Sequence, residues 1–185
     1  MEVQPTVVMH DQGGNVATSA NRITLSALLR LPDGAVSSVK LKTANDNTML
    51  PVAPMQFGVC DFEGLRVDTV GTYVIRFSGG GVAAIDSASF TVSPSASIRL
   101  RIATGPGGCR FGFPCLTQPV IEVVDNGGNV AVQDSSAKIT VRWLPVSSGL
   151  CRAEDAVAGG GLLTASMGRA TSTSVGLTRE AGEGG

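Results

Sequence analysis

Short runs of alternating apolar and polar residues, separated by turn-forming residues, extend along most of the chain. In residues 72–77 the alternation places three large apolar side chains on one strand face. In residues 98–102 it predicts three apolar side chains pointing inward and two arginines pointing outward. Further strands are predicted at residues 6–10, 22–28, 64–68, 87–92, 120–124 and 138–143, and an exposed loop at 153–161. Short strands at such intervals indicate an all-β fold.

The residue types favour strands and turns over helices. Val, Ile and Thr suit pleated surfaces, while 24 glycines and 9 prolines supply turns between short strands. A hydrophobic content of 43% with 16% charged residues is enough to bury a core. The net charge of −1, without a basic cluster, argues against nucleic acid as a partner. No apolar run approaches the roughly 18 residues of a membrane-spanning helix, so we expect no membrane insertion by this segment.

One long motif occurs twice along the chain. The segment QPTVVMHDQGGNVA at residues 4–17 recurs as QPVIEVVDNGGNVA at residues 118–131, at an offset of 114 residues (118 − 4). The further predicted matches are residues 23–25 with 139–141, at an offset of 116 (139 − 23), residues 58–65 with 168–171 and 176–177, and Gly71 with Gly182. A repeat of this length has the size of one sandwich domain, so two tandem modules are predicted.

The repeat also predicts the module boundaries. The short polar stretch 93–97 separates a module at residues 1–94 from one at residues 95–185, and so short a linker restricts the angle between them. The strand at 98–102 has no counterpart before the first copy of the motif. The strands within 71–92 have no counterpart in the second copy. We therefore expect both modules to be incomplete at one end, module 1 without its first strand and module 2 without its last strands, as in a fragment of a longer array.

The repeated Asp-x-Gly-Gly-Asn sequence is interpreted as a turn. Glycine permits positive φ, and Asp and Asn side chains bond local backbone groups. The turn residues are Asp11, Gly13, Gly14 and Asn15 in the first copy and Asp125, Gly127, Gly128 and Asn129 in the second. Calcium requires six to eight converging oxygens, whereas the nearby pair Asp61 and Glu63 offers two ligands at best. We therefore predict no metal site.

Four cysteines bear on the redox compartment. Cys109 and Cys115 enclose a short loop containing Gly and Pro, and a disulfide between them is predicted, with two reduced thiols as the alternative. Cys60 and Cys151 have no counterparts in the other copy, and their pairing is left open. A disulfide favours an oxidising, extracellular setting.

Three aromatic residues are candidates for contacts or for the core. Phe111 and Phe113 lie in the cysteine loop, where packing onto their own sandwich is favoured over docking to a neighbouring module or a partner. They are nevertheless better contact candidates than Trp143. Trp143 alternates with the apolar residues of its strand and is predicted to lie in the core.

Catalytic chemistry has few candidate residues. His10 is the single histidine, and the second copy has Val124 in its place. The general base that a catalytic triad needs is therefore not repeated in the second copy. Neither a nucleophile-elbow nor a phosphate-loop motif is present, and the triple-glycine segments lack the continuation that a phosphate cradle needs. We predict a non-enzymatic protein that needs no cofactor.

The order of the motifs resembles that of bacterial Ig-like repeats of the invasin and intimin type, and of related arrays in large algal and protist surface proteins. The matching pieces are Asp11 to Val16, then Ile23-Thr24-Leu25, then Gly58 to Leu65, then Val70-Gly71-Thr72-Tyr73. In the second copy the third piece is eroded, with Ser172 in the place of Phe62. The resemblance implies immunoglobulin-like β-sandwich modules that serve as spacers in a surface or extracellular protein, often an adhesive one.

The expected function is therefore a structural spacer in a large multi-repeat protein that is surface-exposed or forms filaments. Its expected partners are neighbouring Ig-like modules of the same or another chain, with assembly into a homo-oligomer or filament. One alternative is an adhesin domain that binds a carbohydrate or a protein. Another is an intracellular scaffold of a cilium or the cytoskeleton. Because sandwiches host unrelated activities, the fold alone does not decide among them.

Overall fold

The computed structural model describes residues 4–45, 50–110, 112–141, 155–158 and 161–179, with the backbone alone described at 155–158 and 177–179. Within these segments every strand pairing is antiparallel and no helix occurs, as in the β-sandwich class. The all-β prediction is confirmed. The chain divides into two compact units, Met1–Ser93 and Pro94–Gly185, here called unit 1 and unit 2.

Unit 1 is built from a two-stranded and a five-stranded sheet. Its strands are β1 (Thr6–Val8), β2 (Thr24–Arg30), β3 (Val52–Pro54), β4 (Val59–Asp61), β5 (Gly71–Gly79), β6 (Val82–Asp86) and β7 (Phe90–Val92). β1 pairs with β4, and the larger sheet has the order β3-β2-β5-β6, with β7 pairing the beginning of β5. The long strand β5 is central because it pairs with three other strands.

The core of unit 1 depends on the alternation in β5. Tyr73, Ile75 and Phe77 are all buried, which confirms the face predicted for residues 72–77. The Phe77 ring centroid lies 5.1 Å from that of Phe62, in a tilted contact. Burying one such large apolar side chain contributes about 1.5–3 kcal/mol. These residues, with the inward side chains of β2, make β5 the main support of the unit.

The described residues of unit 2 form three smaller sheets. Its strands are β8 (Arg99–Thr104), β9 (Val120–Val124), β10 (Lys138–Thr140), β11 (Asp155–Ala158), β12 (Leu162–Thr164), β13 (Arg169–Thr171) and β14 (Gly176–Arg179). One sheet has the order β13-β9-β8, while β10 pairs with β12 and β11 with β14. The core combines residues from four of these strands or their ends: Ile121, Val123, Ile139, Ala165 and Ala170.

The prediction for residues 98–102 was only half right. Leu100 pairs with Val123 and Ile102 with Ile121, so both side chains lie on the core face of the sheet. Yet Leu100 is 59% exposed and Ile102 69% exposed. Alternation identified the face correctly, but in the described part of the chain no strand lies across from β8 to bury it.

Three further segments differ from their predictions or lie outside the description. Residues 64–68 form no strand and contribute a single bridge, Arg66 to Lys42. The predicted loop at 153–161 contains β11 instead, paired along its length with β14. Phe111, Trp143, Cys151 and Gly182 lie outside the described residues.

Candidate functional site

The strand pairings relate the two units at two constant offsets. Thr6 lies opposite Asp61 in the β1–β4 pair, and Val120 lies opposite Thr171 in the β9–β13 pair. The first strands therefore differ by 114 residues (120 − 6) and the second strands by 110 (171 − 61). The second copy has four fewer residues between the two halves of the repeat.

A second strand pair follows the same offsets and corrects one predicted match. Leu25 lies opposite Ala53, and Ile139 lies opposite Leu163, again differing by 114 (139 − 25) and 110 (163 − 53). Leu25 and Ile139 are both buried and are counterparts. The predicted match of Ile23 to Ile139 was wrong by two residues, because identical Ile-Thr letters do not determine which way a side chain faces.

In each unit, one glutamine side chain makes a pair of hydrogen bonds with the backbone of a single residue. Gln4 Oε1 accepts a hydrogen bond from Leu65 N at 2.8 Å, and its Nε2 donates to Leu65 O at 3.3 Å. Gln118 makes the equivalent pair with Val175, at 2.8 Å and 3.2 Å. Val175, and not Leu177 as predicted, is therefore the counterpart of Leu65. Each side chain supplies the bonds that a neighbouring strand would make.

One carboxylate holds the repeated turn in unit 1. Asp11 Oδ1 accepts hydrogen bonds from the backbone N–H groups of Gly13 and Asn15, each at 2.9 Å. Asp11 N donates to Asn15 O at 2.9 Å, and Gly14 N donates to Asp11 O at 3.1 Å. Gly14 has φ of 82°, a conformation that favours glycine. The four residues form a closed turn stabilised by their own polar groups.

The turn in unit 2 repeats this arrangement. Asp125 Oδ1 accepts from Asn129 N at 2.9 Å, and Asp125 N donates to Asn129 O at 3.0 Å. Gly128, at φ of 83°, donates to Asp125 O at 3.1 Å, while Gly127 occupies the place of Gly13. The Asn129 side-chain amide reaches both carboxylate oxygens at 3.1 Å. The geometry is that of a structural turn in both copies.

In unit 2 the turn also holds the chain that enters the unit. Ser95 N donates to Asp125 Oδ2 at 2.9 Å, and Gln133 Nε2 donates to Ser95 O at 2.9 Å. Ser97 Oγ donates to Asp134 Oδ2 at 2.6 Å. We call these three contacts the entry clasp. Sequence reasoning missed the clasp, because nothing in the letters shows that residues 95–97 lie beside residues 125–134.

The turn carboxylates are ionised acceptors. The backbone and side-chain N–H groups of Asn15 lower the pKa of Asp11. Burial raises the pKa of Asp125, but hydrogen bonds from Ser95 and Asn129 outweigh this effect and lower it. For both aspartates the charged form is the one that the surrounding N–H groups favour.

Asp134 in the entry clasp has the most displaced pKa. The Ser97 hydroxyl, followed by the backbone N–H groups of Ser136 and Ala137, lowers its pKa to about 2. The carboxylate therefore stays charged and keeps its hydrogen bonds over the whole physiological range of pH.

A glycine with positive φ lies between β3 and β4 in unit 1 and between β12 and β13 in unit 2. Gly58 and Gly168 have φ of 80° and 72°, and their carbonyls accept hydrogen bonds from Met9 N and Val123 N, both at 2.8 Å. A Cβ on Gly168 would lie 2.6 Å from the carbonyl oxygen of Ala131. Both glycines are thus required by backbone conformation and by close packing.

Cys109 and Cys115 form a disulfide in the structure. Its loop is fixed to unit 2, because Cys115 N donates to Val175 O at 2.8 Å and Pro114 pairs with Gly176. The Phe113 side chain is 66% exposed, so the favoured packing of this residue onto its own unit is wrong. Phe111 lies outside the described residues.

Two further reactive side chains, Cys60 and His10, lie in the core and at an exposed turn position, respectively. Cys60 is a buried free thiol, and burial, followed by the nearby Asp61 charge, raises its pKa. It packs in the core at the position that Ala170 occupies in unit 2. His10 Nδ1 lies 3.0 Å from Gly14 O at an exposed position. Among the described residues, no group of three or more His, Cys, Asp or Glu side chains is placed to hold a metal ion.

A charged cluster on the outer face of unit 2 was not predicted. Glu122, 4% exposed, accepts hydrogen bonds from Arg101 Nη2 at 2.6 Å and from Arg169 Nε at 2.9 Å. The Arg101 hydrogen bond is the main cause that lowers the pKa of Glu122. In unit 1 the counterpart is Val8, so the cluster is not part of the repeat. Three charges on three adjacent strands connect the sheet β13-β9-β8 across its width.

Comparisons with protein-family models, with curated proteins and with solved structures find no match to this chain. The described residues contain no helical segment that could span a membrane. The duplicated framework of turns, glycines and glutamines is therefore the main basis for an assignment.

Proposed function

We propose that the chain is a non-catalytic structural element, formed by two tandem immunoglobulin-like modules of a larger multi-repeat protein. The observation that carries this proposal is the framework built twice at offsets of 114 and 110 residues, in strand register and in backbone hydrogen bonds. Repetition keeps the turns and the core positions, while reactive groups such as Cys60 and His10 are not repeated. The two copies therefore share turns and core positions, and not a reactive site.

The entry clasp supports a role as a spacer. A linker of free residues permits independent movement of the modules that it joins. Here Ser95 and Ser97 are bonded to Asp125 and Asp134 of unit 2, so few freely rotating residues precede that unit. We infer that the joint resists bending and that the array sets a distance between its ends.

The disulfide supports an extracellular or cell-surface location, since such bonds persist in oxidising compartments. The partners we propose are further modules of the same type, in the same chain or in another, in a homo-oligomer or filament. For a ciliary or cytoskeletal scaffold we expect reduced thiols instead. Mass spectrometry of the protein isolated from its source under alkylating conditions distinguishes the two locations.

Distance distributions between the units test the spacer role. Nitroxide labels at Ser38→Cys and Thr173→Cys, in a Cys151→Ser background, should give a narrow distribution by pulsed electron resonance. Asp134→Ala should broaden it by removing the contact of the clasp with Ser97. Asp33→Ala, which removes an exposed turn carboxylate of unit 1, is the matched control and should leave it unchanged. A wild-type distribution as broad as that of a chain with Gly and Ser at 93–97 rules out a spacer.

The exposed Phe113 favours one competing function, a ligand-binding adhesin. The disulfide and the close approach of Gly176 to the Phe113 carbonyl hold the backbone of the loop, and an exposed aromatic side chain on such a loop is suited to stacking on a sugar ring or a protein surface. Glycan-array binding that disappears in Phe113→Ala would establish the adhesin function. If neither the wild type nor Phe113→Ala binds a glycan on the array, the result supports the spacer.

A further inference from the structure

The turn of unit 2 contains the one Asn-Gly pair of the sequence, Asn126-Gly127. Unit 1 has Gln12-Gly13 at the same place in the same turn. An asparagine followed by glycine is chemically labile, because the backbone nitrogen of the glycine can attack the side-chain carbonyl carbon and close a five-membered imide. Glycine has no Cβ to hinder that approach. The two copies therefore share a turn but differ in its reactivity.

The side chain of Asn126 is placed for this reaction. It is exposed, and its amide has no hydrogen-bond partner among the described residues. Asn129 of the same turn differs, because its amide donates to both carboxylate oxygens of Asp125 at 3.1 Å and because valine follows it. A bonded amide loses its hydrogen bonds when it rotates towards the next backbone nitrogen. Asn126 is therefore the asparagine of this turn that can react.

An arginine lies against the peptide group that reacts. Arg99 Nη2 donates to the Asn126 carbonyl oxygen at 2.9 Å and to the Asp125 carbonyl oxygen at 3.3 Å. The Asn126 carbonyl and the Gly127 nitrogen belong to one conjugated peptide group, so the negative charge left when this nitrogen loses its proton is shared with that oxygen. A guanidinium at hydrogen-bonding distance stabilises such a charge. Arg99 therefore makes the Gly127 N–H more acidic and its nitrogen more available for attack.

We propose that Asn126 is a site of spontaneous deamidation in the folded chain and that Arg99 activates it. Gly127 N gives up its proton to water, beside the Asp125 carboxylate that accepts a hydrogen bond from this N–H. The nitrogen forms a bond to Asn126 Cγ while the Cγ–Nδ2 bond breaks, and the amide nitrogen takes up a proton and leaves as ammonia. Water then opens the imide at one of its two carbonyl carbons, which gives aspartate or isoaspartate. The inference goes beyond the spacer role and does not depend on it, because the reacting groups all belong to unit 2.

Isoaspartate changes the turn more than aspartate does. In isoaspartate the main chain runs through Cβ and Cγ, which adds one methylene between Asp125 and Gly127. The hydrogen bonds from Gly128 N and Asn129 N to Asp125 span this insertion. Asp125 also accepts the hydrogen bond from Ser95 N in the entry clasp, at 2.9 Å. Formation of isoaspartate therefore weakens the turn and the clasp contact that depends on it.

Ageing of the intact 185-residue chain in neutral buffer for several weeks tests the site. Mass spectrometry of proteolytic peptides should show that a hydroxyl replaces the amide NH₂ at Asn126, and electron-transfer fragmentation should identify isoaspartate among the products. Asn126→Gln reproduces the turn of unit 1 and should not react in this time, because a six-membered imide closes much more slowly.

The reverse change, Gln12→Asn, should create a second labile asparagine in unit 1. It should react more slowly than Asn126, because no arginine among the described residues donates to the carbonyl of residue 12. The two turns of one chain are then compared in the same sample.

Arg99→Gln tests the activation. It removes the guanidinium and should slow deamidation about three- to tenfold, less than the loss of a donor in an enclosed site, because the turn is open to water. Arg110→Gln is the matched control, since Arg110 is an exposed arginine of the disulfide loop, and it should react like the wild type. Circular dichroism before ageing verifies that both variants are folded.

Amide hydrogen exchange measures the effect on the clasp. After chromatographic separation of the aged forms, the isoaspartate form should lose protection at Ser95 N and Asn129 N. Asn126→Asp is the matched control, since it has the added charge without the added methylene, and it should keep this protection.

Three results overturn the proposal. The first is an unchanged Asn126 in the folded chain after a time in which a peptide with the sequence of residues 120–134 reacts, which shows that the turn protects the residue. The second is equal or faster deamidation in Arg99→Gln, which means that the guanidinium rigidifies the turn and does not activate it. The third is an isoaspartate form with unchanged protection at Ser95 N. Failure here leaves the spacer role standing, because the distance measurements use protein that has not been aged.

Discussion

The side-chain amide of Gln118 bonds both backbone polar groups of Val175, at 2.8 Å and 3.2 Å. Gln4 does the same for Leu65 in unit 1. Val175 and Leu65 are both buried, so water does not readily replace the amide. A buried backbone N–H or C=O without a partner costs about 1–3 kcal/mol. The two glutamines therefore belong to the fold, although their positions look like ordinary polar surface in the sequence.

Gln118→Ala should destabilise unit 2 by about 1–3 kcal/mol, because the backbone N–H of Val175 loses its acceptor. Urea unfolding monitored by circular dichroism measures the change. Gln12→Ala, at an exposed position in the turn of unit 1, is the control and should alter stability by less than about 0.5 kcal/mol. Equal stability of the two variants would mean that water satisfies Val175.

Gly168→Ala should destabilise unit 2 by more than about 2 kcal/mol. The substitution puts a Cβ 2.6 Å from the Ala131 carbonyl and forces alanine into φ of 72°. Gly105→Ala is the control, since a Cβ there meets nothing within 4 Å, and it should be neutral or slightly stabilising. Thermal unfolding compares the two, and a neutral Gly168→Ala would contradict the backbone geometry.

Glu122→Gln should reduce stability at pH 7 by about 1 kcal/mol. The value is modest because Arg101 and Arg169 are about half exposed or more, and solvent screens their charges. The control Asp86→Asn breaks the exposed pair with Arg76 and should cost less than about 0.5 kcal/mol. Denaturant unfolding at pH 7 gives both values.

The same residue predicts a pH dependence. The pKa of Glu122 in the folded chain lies below its ordinary value of 4.5, so its contribution to stability is present above about pH 4.5 and is lost as the pH falls through the folded pKa. Wild type should lose more stability than Glu122→Gln between pH 5 and lower values. Parallel pH profiles for the two proteins would show that the guanidinium groups do not act on this carboxyl.

Asp134 should titrate at a pKa of about 2 in the folded protein. Since its folded pKa lies below the ordinary value of 3.8, the carboxylate stabilises the entry clasp above about pH 4 and stops doing so as the pH falls towards 2. Carbon-detected NMR of the carboxyl measures the midpoint. Ser97→Ala removes the hydroxyl donor and should move the midpoint upwards, whereas Ser38→Ala should not. An unchanged midpoint in Ser97→Ala would refute the hydrogen bond between Ser97 and Asp134.

Alternation of apolar residues was sufficient to predict the inward face of β5, because Tyr73, Ile75 and Phe77 are all buried in the core of unit 1. The same pattern in β8 identified the core face, but not the exposure of Leu100 and Ile102. A periodicity reports which residues share a face, whereas burial depends on what lies across from that face. The strand predicted at 64–68 does not form for a related reason, since Arg66 makes a single bridge to Lys42 in place of a continuous strand pairing.

The sequence by itself determined the all-β class and the Asp-x-Gly-Gly-Asn turns, and it favoured the pairing of Cys109 with Cys115 over two reduced thiols, because each depends on local conformation or on residues close together in the chain. The tertiary structure decided the register of the repeat, in which Ile139 and not Val141 stands for Leu25, and Val175 and not Leu177 for Leu65. It also decided the entry clasp. These features join residues far apart in the chain, and only the folded backbone brings their polar groups within hydrogen-bonding distance.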